Sequence, residues 1–134
     1  TGVLGAIGGI KELLKAGGGV IVNTSSIAGH IGMANAGIYI ASKHAVEGVT
    51  KSAALEYAKQ GVRVNAVAPG AIQTDLIDRF AGGADGKNYL ASLHPVGRIG
   101  TAPEVTAAVL FLASDAAKFV TGVSLPVDGG FLAQ

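Results

Sequence analysis

Residues 4–16, LGAIGGIKELLKA, repeat apolar positions at helical spacing and set Lys11, Glu12 and Lys15 on the other face. A helix is predicted there, stopped by the glycines at 17–19. Val20-Ile21-Val22-Asn23 is a short β-branched run, the pattern of a buried strand. Residues 24–38, TSSIAGHIGMANAGI, are small and polar enough for a loop. From Tyr39 to Gln60 there is no proline and one internal glycine, and Val46, Val49 and Ala53 fall on one stripe, which predicts a long helix. Gly61 ends it, and VRVNAVA at 62–68 reads as a second strand. PGAIQTD at 69–75 reads as the turn leaving that strand. Residues 75–100, with Gly82, Gly83, Gly86 and Pro95, are expected to be irregular, a composition suited to a mobile lid. Thr101 as N-cap and Pro103 in the first turn open a helix ending near Asp115, and VSLPV at 123–127 is a last strand before an Asp-Gly-Gly turn. Strands alternating with helices imply an α/β fold, a parallel sheet with right-handed crossovers. With about three strands, the sheet is about half of a doubly wound domain.

Composition agrees with that architecture. The 134 residues suit one domain, 49% are apolar and 14% charged, and 21 are glycine, as expected of buried parallel strands under closely packed helices. So few charges leave an apolar surface, which points to other subunits as partners. A net charge of +1 with few aromatic residues argues against nucleic acid. The absence of cysteine removes disulfides and thiolate metal sites and fits a reducing compartment, so the expected location is cytoplasmic. Apolar stretches are interrupted well before 18 residues and no charged leader precedes a cleavage site, so neither a membrane span nor secretion is expected.

The candidate chemistry lies at Tyr39-Ile40-Ala41-Ser42-Lys43. Four residues apart on a helix, Tyr39 and Lys43 share a face, and the ammonium and the positive end of the helix dipole both favour the phenolate. Tyr39 is then a candidate general acid/base for an alcohol or carbonyl oxygen, and Ser26, just beyond the first strand, can donate to the same oxygen. A Tyr-x-x-x-Lys alone is common, and an ordinary surface pair is its default meaning. What raises it is a serine thirteen residues earlier at one strand end and a Pro-Gly turn with a threonine at the next, both where ligands sit in open α/β sheets.

Together VIVNTSSIAG, YIASKHAVEG, GVRVNAVAPGAIQTD, HPVGRIGTAPEV, LFLASDAAKFVTG and VDGG resemble the short-chain dehydrogenases/reductases, in order and at the family's spacing, from Val20 to the C-terminus. The resemblance implies a Rossmann-like domain and an alcohol–ketone interconversion that uses NAD or NADP. By resemblance Ser26 polarises the substrate oxygen, Tyr39 is the acid/base, and Lys43 assists Tyr39 and binds the nicotinamide ribose. Pro69, Gly70, Ile72 and Thr74 match the family's P-G-x-I-x-T turn at the nicotinamide. The resemblance also implies pairing of the helices around 4–16 and 39–60 in a dimer and a second contact through the last helix and strand in a tetramer.

The opening TGVLGAIG looks like a phosphate-binding glycine loop. It follows no strand, however, and positions 20–46 carry no Asp or Glu to hold a ribose. By resemblance it is the start of the helix leading into the catalytic strand. Residues 1–134 then correspond to the C-terminal catalytic portion of one domain, the half with the dinucleotide loop and a fourth catalytic residue, Asn, being absent from them. A rival expectation follows: a catalytically silent half-domain that serves only as a structural or oligomerisation module.

Other residues carry weaker claims. His30, His44 and His94 lack metal-ligand spacing and are expected to be structural or solvated, with His30 or His94 lining a pocket as the alternative. No metal is expected. Asp128 reads as a turn former, and Asp75 and Asp78 as capping or solvating residues. Ser25-Ser26 lacks the Gly-x-Ser-x-Gly elbow of a hydrolase nucleophile. Residues 75–94 and 29–38 are expected to shape a partly apolar substrate pocket.

Overall fold

The computed structural model describes residues 2–134; Thr1, which heads the opening glycine pattern, lies outside the described residues. The rest of that stretch belongs to helix α1 (Gly2–Lys15), as its resemblance to a helix start implied. Gly18 N–H donates to Leu13 O and Gly17 N–H to Leu14 O, the Schellman pattern that ends a helix. Gly18, at φ +135°, lies so close to Gly61 that a Cβ would stand 2.7 Å from the Gly61 carbonyl oxygen. That contact brings together the ends of α1 and of α2 (Gly37–Tyr57), which continues as a 3₁₀ turn, Ala58–Gln60. It also sets the register of strands β1 (Gly19–Thr24) and β2 (Val62–Pro69), which pair in parallel from Gly19 opposite Val62 to Thr24 opposite Val67.

β2 is the middle strand, pairing in parallel with β3 (Ser124–Val127) on its other side, in the order β1-β2-β3. Buried on both faces, it is mostly apolar, as expected of a central parallel strand, with Arg63 and Asn65 as its polar interruptions. Val62 and Val64 pack with Ile10 of α1 and Ala53 and Ala54 of α2. The alternate positions reach elements on the far face. Arg63 donates to the Leu112, Ser114 and Val120 carbonyls, completing the C-terminus of α5 (Ala102–Ala113). The fully buried Asn65 donates to Val120 O at 2.9 Å and accepts Val123 N–H at 3.1 Å, fastening the loop that leads into β3. The sheet and its two helical layers thus bear out the expected Rossmann-like α/β architecture.

One expectation fails. Residues 75–100 are not irregular throughout but contain two short helices, α3 (Asp75–Phe80) and α4 (Ala84–Ser92). Thr74 caps α3 by accepting Ile77 N–H, and Asp75 and Asp78 complement its positive end. Gly82 and Gly83, both at positive φ, then break the chain between the helices. Asp78 pairs with Lys87 of α4 and accepts Gln73, and these partners, Lys87 first, hold its carboxyl below the ordinary value. The glycines thus mark a break between helices, where the sequence reading took them to dissolve the whole segment.

Candidate active site

Ser26 stands just past β1, its backbone extended, and caps the 3₁₀ turn Ile27–Gly29 by accepting Ala28 N–H at 3.1 Å. That bond uses an oxygen lone pair and leaves the hydroxyl proton free to donate. Tyr39 is the third residue of α2, inside the turn where free N–H groups give the helix its positive end. One turn on, the Lys43 ammonium lies 5.8 Å from the Tyr39 ring centroid and donates to the Thr24 carbonyl at 3.1 Å. Lys43 therefore ties the start of α2 to the end of β1, beside Ser26. Tyr39 is 50% exposed, and its hydroxyl has no hydrogen-bond partner among the described residues.

The second group emerges from the neighbouring strand at the same edge. Ser26 and Pro69 each lie two residues beyond the Thr24–Val67 pair, on strands that run about 4.8 Å apart. After Pro69 the chain is held point by point: Gly70 N–H donates to Val127 O at 3.1 Å, Ala71 N–H to His94 Nε2 at 3.1 Å, and Gly100 N–H to Ala71 O at 2.8 Å. Gln73 N–H closes onto Gly100 O at 2.8 Å. Only glycine fits at position 70, because a Cβ would stand 2.6 Å from His94 Nε2 and 3.1 Å from Asp128 Cα. Ile72 N–H has no partner among the described residues. Pro69 and Ile72 also border an apolar groove of about 360 Å³ with Ala102, Val105 and Val109 of α5.

These donors fit the nicotinamide end of a dinucleotide. An ammonium with protons to spare suits ribose hydroxyls, a free backbone N–H suits a carboxamide, and the Ser26 and Tyr39 hydroxyls suit a substrate oxygen beside it. The Thr74 hydroxyl, which donates to Ile72 O at 3.3 Å, joins them only on turning from that carbonyl.

The histidines occupy three different settings. His44 is exposed, its Nδ1 3.0 Å from Ile40 O. His30 Nε2 lies 3.3 Å from both Ser124 Oγ and the buried Glu47, whose carboxylate also accepts the Ser124 hydroxyl. His94 is buried against the Pro69–Thr74 turn, a contact that sequence reasoning missed. Its partner is 23 residues away, and no periodicity reports such a pairing. Asp128 forms the expected turn, accepting Gly130 and Leu132 N–H at 2.9 Å each. Thr101 caps α5 in a capping box with Glu104, and the Arg98 guanidinium grips that carboxylate at 2.6 and 3.0 Å. Arg98 first, then the Thr101 N–H and hydroxyl, hold Glu104 down to about 2.

Comparison with known proteins gives the same direction. The family described as enoyl-(acyl carrier protein) reductase matches residues 1–132. A cyclohexanol dehydrogenase of Acinetobacter sp. strain SE19 is 50% identical over 125 residues, 93% of this chain and 48% of that protein. A cis-4-hydroxycyclohexanecarboxylate dehydrogenase of Sinomonas cyclohexanicum is 48% identical over 124 residues, 92% of this chain and 49% of that protein. The solved structure of ElxO with NADP bound superposes with a TM-score of 0.87 at 39% identity, covering 94% of this chain and 51% of that one. The chain therefore spans about half the length of these relatives. Among the described residues no helix is long and apolar enough to cross a membrane.

Proposed function

Because the chain belongs to the short-chain dehydrogenase/reductase family, we propose that it is the catalytic portion of a cytoplasmic oxidoreductase interconverting an alcohol and a ketone with NAD or NADP. The observation that carries this reading is the meeting of two strand ends. Ser26 with the Tyr39–Lys43 pair of α2 stands at one, and a turn with a free Ile72 N–H stands at the other. When bound, the nicotinamide supplies the hydride acceptor or donor. Tyr39 passes the hydroxyl proton to or from the substrate oxygen, and Ser26 donates to that same oxygen and fixes its position. Lys43, its ammonium 5.8 Å from the Tyr39 ring centroid and bonded to Thr24 O, would hold the ribose. Ile72 N–H would hold the carboxamide, with the Thr74 hydroxyl joining it on turning from Ile72 O. Two relatives are named for alicyclic alcohols, which makes cyclohexanols the first substrates to try.

Self-association belongs to the same reading. α1 and α2 border an apolar groove of about 520 Å³ lined by Ile10, Leu14, Val49, Ala53 and Tyr57. Ile38 and Leu55 of α2 are also almost fully exposed. A second copy covering this face removes apolar area from water. Light scattering is expected to give a dimer or tetramer, and a stable soluble monomer contradicts it.

Calorimetric titration of the 134-residue chain with NADH and NADPH, up to millimolar, tests the cofactor. Saturable binding of either supports the reading. A folded sample that binds neither favours instead the silent module, which makes self-association without chemistry its only property.

A further inference from the structure

His94 lies two residues beyond α4, is 4% exposed, and has both ring nitrogens engaged. Nδ1 lies 2.7 Å from the Leu90 carbonyl, and Nε2 receives the Ala71 N–H at 3.1 Å. A carbonyl only accepts, so Nδ1 carries the proton; a backbone N–H only donates, so Nε2 carries the lone pair. The surroundings therefore select a neutral ring in one tautomer. The ring also lies 5.4 Å from Phe131, at an interplanar angle of 50°. The charged groups around it are engaged elsewhere: Arg98 with Glu104, and Asp128 with the Gly130 and Leu132 N–H groups.

The consequence is felt at Ile72. The Ala71 carbonyl and the Ile72 N–H belong to one rigid peptide plane, and Gly100 holds the carbonyl at 2.8 Å. His94 holds the preceding N–H and so fixes the other side of Ala71. With both sides of that residue clamped, the free Ile72 N–H has a single direction.

We propose that His94 is a positioning residue for the nicotinamide-facing turn: it clamps the Ala71 N–H so that Ile72 and Thr74 are preorganised for the cofactor, and through Leu90 it ties that turn to α4. The inference rests on reading Pro69–Thr74 as the cofactor turn, and its test is separable from that reading. In the 134-residue chain, long-range proton–nitrogen correlation is expected to show the Nδ1–H tautomer for His94. In His94→Phe, which keeps an aromatic ring against Phe131 but offers no acceptor, the Ala71 amide exchanges with solvent about tenfold faster. The Val64 and Ala66 amides of β2 exchange as before. His94→Gln, whose amide oxygen can stand in for Nε2, restores protection, and His94→Asn, too short to reach, does not. If the Phe variant also loosens β2, the Gln and Asn variants carry the comparison.

An Nε2–H tautomer, an unprotected Ala71 amide in the unsubstituted chain, or equal exchange in the Gln and Asn variants overturns the clamp. Dinucleotide affinity is expected to fall about tenfold in His94→Asn and to recover in His94→Gln. Exchange that follows this order while no variant binds NADH or NADPH contradicts the proposed function and leaves the clamp standing.

Discussion

The two strand ends that meet at the candidate site are built differently. At the end of β1, Tyr39 and Lys43 lie one turn apart on a single helix, which is fastened to the strand by Lys43 donating to Thr24 O and by the buried Asn23 amide donating to Thr50 Oγ1. At the end of β2, the Pro69–Thr74 turn runs into the short helix α3, but the backbone before Thr74 is held by more distant parts of the chain. It borrows Val127 from β3, His94 from beyond α4 and Gly100 from before α5. The comparison teaches that proton-transfer groups can be placed by helical periodicity, which acts locally, while a backbone cradle is placed by contacts spread over the chain. Substitutions should therefore injure the first end in its chemistry and the second in its order.

The largest expected effect is chemical. Tyr39→Phe removes one oxygen from a half-exposed side chain with no hydrogen-bond partner among the described residues, so folding should be nearly unchanged while alcohol oxidation falls about 10²–10⁴-fold. Paired measurements of turnover and denaturation midpoint check both halves of that statement. Next comes Asn65→Ala, which strips two bonds from a fully buried side chain and leaves the Val123 N–H and Val120 carbonyl without this partner. A loss of roughly 1–3 kcal/mol is expected in urea unfolding, shared by both ends because β2 supports both. Thr74→Ala sharpens the contrast, since it uncaps α3 at a cost of about 1 kcal/mol or less, visible in hydrogen exchange of residues 75–80 while α2 stays protected.

The smallest effect is a pH dependence. Glu104 is depressed from 4.5 to about 2, chiefly by Arg98, so its unfolded form binds the proton first as acid is added. The stability it contributes is complete above about pH 4.5 and is lost as pH falls through about 2. Glu104→Gln should flatten that part of the acid limb in urea-denaturation midpoints measured from pH 5 to 2.

The same contrast explains what the sequence could and could not disclose. VIVN, VRVNAVA and the Tyr39–Gln60 segment carry their periods locally, so two strands and the helix bearing Tyr39 and Lys43 were readable to within a few residues. Thr101 and Glu104 sit at capping-box spacing, so the start of α5 was readable too. Residues 75–100 were not, because glycines at 82, 83 and 86 masked two short helices whose stability comes from the Thr74 cap and the Asp78–Lys87 pair. His94 gave no sign of its partner, since an imidazole buried against a backbone N–H and one left in water occupy the same letter. The Pro69–Thr74 motif was visible as letters, but its geometry depends on contacts 23 residues or more away.

The most direct test of the central claim, that Lys43 and the Pro69–Thr74 turn face one nicotinamide, is an amide-resolved NMR titration of the chain with NADH and NADPH. The account predicts shifts concentrated at Ser26, Tyr39, Lys43 and Ile72–Thr74, with the Ile72 amide among the largest. Shifts confined to other surfaces, or a folded spectrum unmoved by either nucleotide at millimolar concentration, would contradict it.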